Sequence, residues 1–220
     1  MTPEQLTGQS QQHIAFIEGN IGLHQQVVAP WQALQAAAAK DGFNLQIVSG
    51  FRSFERQLGI FNAKLTGQRP VLDINNCQVA MDSLTVEQQI HSVLLYSALP
   101  GASRHHWGTD IDVFDPDLLD GLKLQLEPWE YAGGGPMAPL NDWLNSNIEA
   151  FGFYKPYAKY QGGVAPEPWH LSYRPLAAQF EQQLTLDLLR TCLDNHAINA
   201  CDEIVNLLPS ILTRYVKITA

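Results

Sequence analysis

The 220 residues, 45% of them hydrophobic, suffice for one domain with a sizeable core and do not require a second. A formal charge of −9, with 22 acidic residues against 13 Lys and Arg and no basic run, disfavours nucleic acid and anionic membrane surfaces as partners. No segment approaches a membrane span, and the residues after Met1 lack the basic start and apolar stretch of a secretory leader. As it stands the chain therefore reads as cytoplasmic, with a periplasmic or exported location following if a leader has been removed.

In chain order, the first forty residues are expected to form two helices, the second carrying Val27, Val28, Trp31, Leu34 and Ala38 and ending at Asp41-Gly42. Asn44 to Ser49 alternates polar and apolar side chains and predicts a strand, broken by Gly50. Ser53 is the expected N-cap of a helix with Phe54, Leu58 and Phe61 on one face, which leaves Arg52 at the strand-to-helix junction. Residues 65 to 84 have no period and read as a loop. Thr85-Val86-Glu87-Gln88 then offers a capping box for a helix through Ile90, Val93 and Leu94.

Gly108 to Phe114 alternates again, placing Ile111 and Val113 on one strand face and the carboxylates Asp110 and Asp112 on the other. The Gly-, Pro- and Asp-rich stretch 115 to 137 reads as an irregular connection overhanging a site. Leu140, Trp143, Leu144, Ile148 and Phe151 mark another helix, closed by Gly152. Pro166-Glu167-Pro168 excludes regular helix, so Trp169 to Tyr173 should be extended. Helices follow beyond Pro175. The order implies an α+β fold with a small antiparallel sheet flanked by helices: a catalytic domain over 1–174 and a helical extension over 175–220 packed on it. Cys77, Cys192 and Cys201 form no Cys-x-x-Cys pair and are expected to be thiols without catalytic work.

Three separated segments concentrate the chemistry: Ser49 to Gln57, Ser103 to Asp112, and Glu167-Pro168-Trp169-His170. A catalytic zinc takes three ligands from His and carboxylate side chains and leaves one position for water. The second and third segments supply such a set, and Glu167 stands where a carboxylate outside the ligand set could take a proton from that water. Residues three apart on a straight strand face opposite ways, so Glu167 can reach the metal side only through a bend at Pro166 and Pro168.

The motifs Ser-x-His-x-x-Gly-x-x-x-Asp and Glu-x-x-His, with an upstream Ser-Gly-Phe-Arg-Ser, resemble those of the VanY-type D-alanyl-D-alanine carboxypeptidases, over roughly residues 44 to 174. This family includes dipeptidases and L,D-carboxypeptidases and is more distantly similar to the sonic hedgehog amino-terminal domain. The resemblance implies the fold shared by those proteins, Zn2+ held by His105, Asp112 and His170, a general base at Glu167, and an oxyanion-stabilising guanidinium at Arg52. It implies substrate-orienting roles for Ser103 and Gln57. Peptidoglycan stem peptides or their fragments are the implied partners, with cleavage next to a D-amino acid. An L,D-carboxypeptidase, an endopeptidase and a non-catalytic zinc-stabilised binding module are the alternatives.

Some residues stay open on sequence alone. Many relatives place a small residue at Asp110, which here could support a metal-bound His, contact a cationic substrate group, or be solvated. His106 would face the metal if the strand register moved by one. Trp107 and Trp169 could be core or wall the site. Glu167 could be a fourth ligand, which would close the site. His13, His24, His91 and His196 read as ordinary packed or surface histidines.

Overall fold

The computed structural model describes residues 1–217, so the final positions of the expected C-terminal extension, 218–220, lie outside the described residues. The N-terminal forty residues depart from two helices. A single turn, α1 (Pro3–Leu6), leads into a hairpin of β1 (Ile14–Ile17) and β2 (Ile21–His24), and only then comes α2 (Val28–Lys40). The cause is the turn Glu18-Gly19-Asn20, where Gly19 and Asn20 both take positive φ, 69° and 62°. Two consecutive left-handed residues reverse the chain and end any helix.

Further along the chain come β3 (Gln46–Ser49), β4 (Asp110–Phe114), β5 (Phe153–Tyr154) and β6 (His170–Tyr173). They form one antiparallel sheet in the order β3-β4-β6-β5. Register decides what the sheet presents. Asp112 pairs with His170, and Asp110 with Ser172. With a side-chain period of two, these residues share one face. The opposite face carries Ile111, Val113 and Leu171, all buried. Each such apolar side chain contributes about 1.5–3 kcal/mol on burial, so a one-residue slip would place carboxylates in the core and is strongly disfavoured.

The helix signals read from sequence hold where a cap is local. Ser53 caps α3 (Phe54–Leu65), its Oγ accepting from the Arg56 amide at 3.2 Å, and Thr85 with Gln88 forms the capping box of α4 (Val86–Leu94). Next is α5 (Ala138–Asn147), continued by one 3₁₀ turn to Phe151 and stopped by Gly152 at φ 82°. After β6 come α6 (Arg174–Gln183), α7 (Leu186–Asp194) and α8 (Cys201–Ile211), the last continued by a π-helical turn to Val216. Leu189, Leu193, Ile204 and Leu208 of these last helices join the same core cluster as Ile90, Ile111 and Leu171. No helix among the described residues is long and apolar enough to cross a membrane.

Candidate metal centre and active site

Three local devices bring the site together. His105 lies on a 3₁₀ turn, Arg104–Trp107, that Gly108 closes at φ 68°, and a Cβ there would meet the backbone nitrogen of His24 at 2.6 Å. Asp112 and His170 are cross-strand neighbours on β4 and β6. Arg52 follows Gly50, where a Cβ would stand 2.5 Å from the Gly22 carbonyl oxygen; the Arg52 amide then donates to the His105 carbonyl at 3.1 Å. The junction glycine thus lets the Arg52 segment pack closely on β2, where the Phe51 amide donates to the Gly22 carbonyl at 2.7 Å.

His105, Asp112 and His170 are buried, and each offers a donor atom within 4.8 Å of the others. His105 Nε2 is 3.5 Å from Asp112 Oδ2, and His170 Nδ1 is 3.2 Å from Asp112 Oδ1. Metal–ligand bonds of about 2.0–2.2 Å place neighbouring ligands of a tetrahedron about 3.3–3.6 Å apart. The observed separations are of that size. The outer nitrogens agree: His105 Nδ1 lies 2.9 Å from the Gly50 carbonyl, which only accepts, so this nitrogen carries the proton and Nε2 is left with its lone pair. His170 Nε2 lies 3.0 Å from Asp110 Oδ1, which leaves Nδ1 for the centre. Asp112 Oδ1 is buried with no hydrogen-bond partner among the described residues. A buried carboxylate oxygen without a donor fits a cation site.

Charge follows the same geometry. Burial pushes His105 down to about 3, which keeps it neutral. Burial also opposes charge on His170, yet the surrounding carboxylates of Asp110, Asp112 and Glu167 outweigh it and shift its pKa upward. The Asp112 carboxyl stays below its ordinary range because His105, His170 and Arg52 outweigh its burial.

Glu167 reaches this side of the sheet through the bend required at the two prolines. The His170 amide donates to the Glu167 carbonyl at 3.1 Å and the Glu167 amide to the Tyr157 carbonyl at 2.9 Å. Its Oε2 comes to 3.4 Å from His170 Nδ1. Burial, with Asp112 adding to it, raises its pKa above the ordinary carboxylate value. That shift moves it toward the working range of a general base.

Arg52 is anchored from behind: Nη1 donates to Gln57 Oε1 at 2.8 Å and Nη2 to Ser49 Oγ at 3.2 Å, with Nη2 4.0 Å from Asp112 Oδ2. This accounts for Gln57, whose placement departs from substrate contact. It is fully buried, and its amide is spent on Arg52 and, at 2.7 Å, on the Ala98 carbonyl. Ser103 does reach the cavity wall.

The cavity over the centre has a volume of about 460 Å³, within the usual range of small-molecule sites. Gln125, Leu126 and Glu127 from the irregular stretch 115 to 137 line it, as do Arg69 and Asn76 from the loop 65 to 84. The expected overhang is therefore present. Trp169 lines the cavity and packs on Tyr131 at 5.6 Å. Trp107 is core, its Nε1 donating to the Leu6 carbonyl at 3.1 Å. His106 turns away, Nδ1 on the Arg52 carbonyl at 2.6 Å and Nε2 accepting from the Gly101 amide at 3.1 Å.

Asp110 is fully buried, which overturns the solvated alternative. It accepts from Arg104, His170, Thr109 and Ser172. Burial opposes its charge, but Arg104 and these donors hold its carboxyl well below the ordinary range. Tyr157 was not singled out by sequence; its ring stands 4.9 Å from that of His170, edge to face, and lines the cavity. Lys64, also at the wall, donates to Ser97 Oγ at 2.7 Å, and burial lowers its pKa. Neither belongs to a motif, and only the fold brings them here.

Residues 20–176 match the family model of VanY, D-alanyl-D-alanine carboxypeptidase. An uncharacterised protein of Haemophilus influenzae is 42% identical over 121 residues, covering 54% of this chain and 92% of that protein. A D-alanyl-D-alanine carboxypeptidase of Enterococcus faecalis is 27% identical over 150 residues, 66% of this chain and 46% of that protein. Among solved structures, a mutant of the vancomycin-resistance D,D-pentapeptidase VanY in complex with Zn(II) aligns with a TM-score of 0.53 at 24% identity, covering 81% of this chain and 90% of that one. VanYB in complex with D-alanine-D-alanine aligns with a TM-score of 0.54 at 22% identity, covering 84% and 89%. At these identities the structural likeness speaks for the fold, an α+β arrangement of D,D-peptidase type. With the family model covering most of the sequence, the chain belongs to the VanY D-alanyl-D-alanine carboxypeptidase family.

Proposed function

We propose that this protein is a zinc-dependent peptidase that removes the terminal D-alanine from peptidoglycan stem peptides ending in D-Ala-D-Ala. The observation that carries the reading is the geometry of His105 Nε2 and His170 Nδ1, which approach the two oxygens of the buried Asp112 carboxylate, Oδ2 at 3.5 Å and Oδ1 at 3.2 Å. Two imidazoles and one carboxylate form a set typical of catalytic zinc, with a position left for water. Zinc bound there would polarise the scissile carbonyl and make water acidic enough to attack near neutral pH.

The chain's own residues divide the remaining work. Glu167, outside the ligand set with its raised pKa, accepts the proton of the attacking water and returns it to the leaving amine. Arg52, fixed by Gln57 and Ser49, keeps donors free for the oxygen that gains charge as the carbonyl carbon becomes tetrahedral. Ser103 at the wall is placed to orient the peptide, and Tyr157 and Trp169 exclude water on the His170 side.

Incubation with defined stem peptides, read by product mass, tests this directly. The pentapeptide ending in D-Ala-D-Ala should lose one D-alanine. Release of D-alanine from the tetrapeptide instead would assign an L,D-carboxypeptidase, and cleavage inside the stem an endopeptidase.

A further inference from the structure

Behind the metal centre lies a buried polar network that none of the roles above uses. Asp110 Oδ1 accepts from His170 Nε2 at 3.0 Å and from Arg104 Nε at 2.8 Å; Oδ2 accepts from Thr109 Oγ1 at 2.6 Å and Ser172 Oγ at 3.0 Å. With both oxygens doubly engaged, the carboxylate has no freedom to rotate. Arg104 is held as firmly. Its Nη1 donates to Glu181 Oε2 of α6 at 2.7 Å, and its Nη2 to Tyr154 OH at 2.8 Å and Ser172 Oγ at 2.9 Å. Arg104, Asp110 and Glu181 are all buried, and Arg104, which borders the cavity, has each of its guanidinium nitrogens engaged within the network.

A neutral imidazole carries one proton and can place it on either nitrogen. For His170, only the form with the proton on Nε2 leaves Nδ1 free for a cation, and Asp110 is the acceptor that selects it. We propose that Asp110 is a positioning residue that fixes His170 with Nε2 protonated and Nδ1 turned to the metal, and that Glu181 completes this arrangement through Arg104. The C-terminal helix α6 is then part of the metal centre, joined to His170 by three consecutive charge-assisted hydrogen bonds. This inference rests on the zinc reading above.

The test is zinc affinity, measured by competition with a chromophoric chelator, together with the visible spectrum of the cobalt-substituted protein, in wild type, Asp110→Ala, Asp110→Asn and Glu181→Gln. Loss of a hydrogen-bonding partner behind a metal-ligating histidine typically weakens binding by about 10–100-fold, and that is expected for Asp110→Ala, with an altered cobalt spectrum. Asp110→Asn keeps an acceptor for the Nε2 proton and should recover part of the loss; Glu181→Gln should fall at the lower end of that range. A merely structural role would lower the melting temperature and leave affinity and spectrum unchanged in the folded variants, and that result overturns the proposal. If Asp110→Ala does not fold, the other two variants decide by the same criteria. A wild-type protein without zinc affinity would instead overturn the metal reading itself.

Discussion

Replacing Glu167 by Gln is expected to lower kcat on a D-Ala-D-Ala stem peptide by about 10²–10⁴-fold while zinc content stays at the wild-type level. That corresponds to about 3–5 kcal/mol of lost transition-state stabilisation. The reason is geometric: Glu167 Oε2 lies 3.4 Å from His170 Nδ1, a candidate ligand atom, yet Glu167 belongs to the bend before β6, not to the face that carries Asp112 and His170. Gln keeps the volume and one acceptor but cannot take a proton. Parallel loss of zinc would make Glu167 a ligand, and unchanged turnover would remove it from the chemistry.

The second large effect is expected at Arg52. Arg52→Met should cost about 10²–10³-fold in kcat, the range for removing a donor to a developing oxyanion, with little change in zinc content because Arg52 is not among the ligating atoms. Arg52→Lys should recover only part. The planar fork is what Gln57 Oε1 and Ser49 Oγ grip, and a flexible ammonium cannot satisfy both and still face the substrate. Gln57→Leu should act in the same direction more weakly, since it frees Arg52 without removing it. If Arg52→Met raised KM and left kcat intact, Arg52 would be a ground-state contact rather than an oxyanion donor.

How much of this was legible in the sequence depends on the range of each interaction. Ser53 and Thr85 act on amides three residues away, so their caps could be read from four letters. The alternation of Asp110, Ile111, Asp112 and Val113 is equally local and placed both carboxylates on one face. The metal trio needed three distant segments to be read together, which the family resemblance supplied.

The failures are tertiary. The segment of the hairpin β1–β2 reads as helix because its apolar residues satisfy either period over so short a run, and the decisive signal is the Gly19-Asn20 turn. Gln57 falls on the buried side of α3, where its amide meets Ala98, 41 residues away. For Asp110 the sequence leaves three roles open, and only the contact with Arg104, itself held by Glu181 77 residues further along the chain, shows a carboxylate buried behind His170. A departure from the family pattern on the same strand face as Asp112 is the one available hint.

The measurement closest to the central claim is zinc content followed together with turnover. The purified protein should carry one zinc per chain, lose hydrolysis of the D-Ala-D-Ala stem peptide as a chelator removes the metal, and regain it in proportion to zinc restored, while His170→Ala loses both metal and turnover. Undiminished cleavage by the zinc-free protein, or one zinc per chain with no cleavage of any stem peptide, would contradict the account.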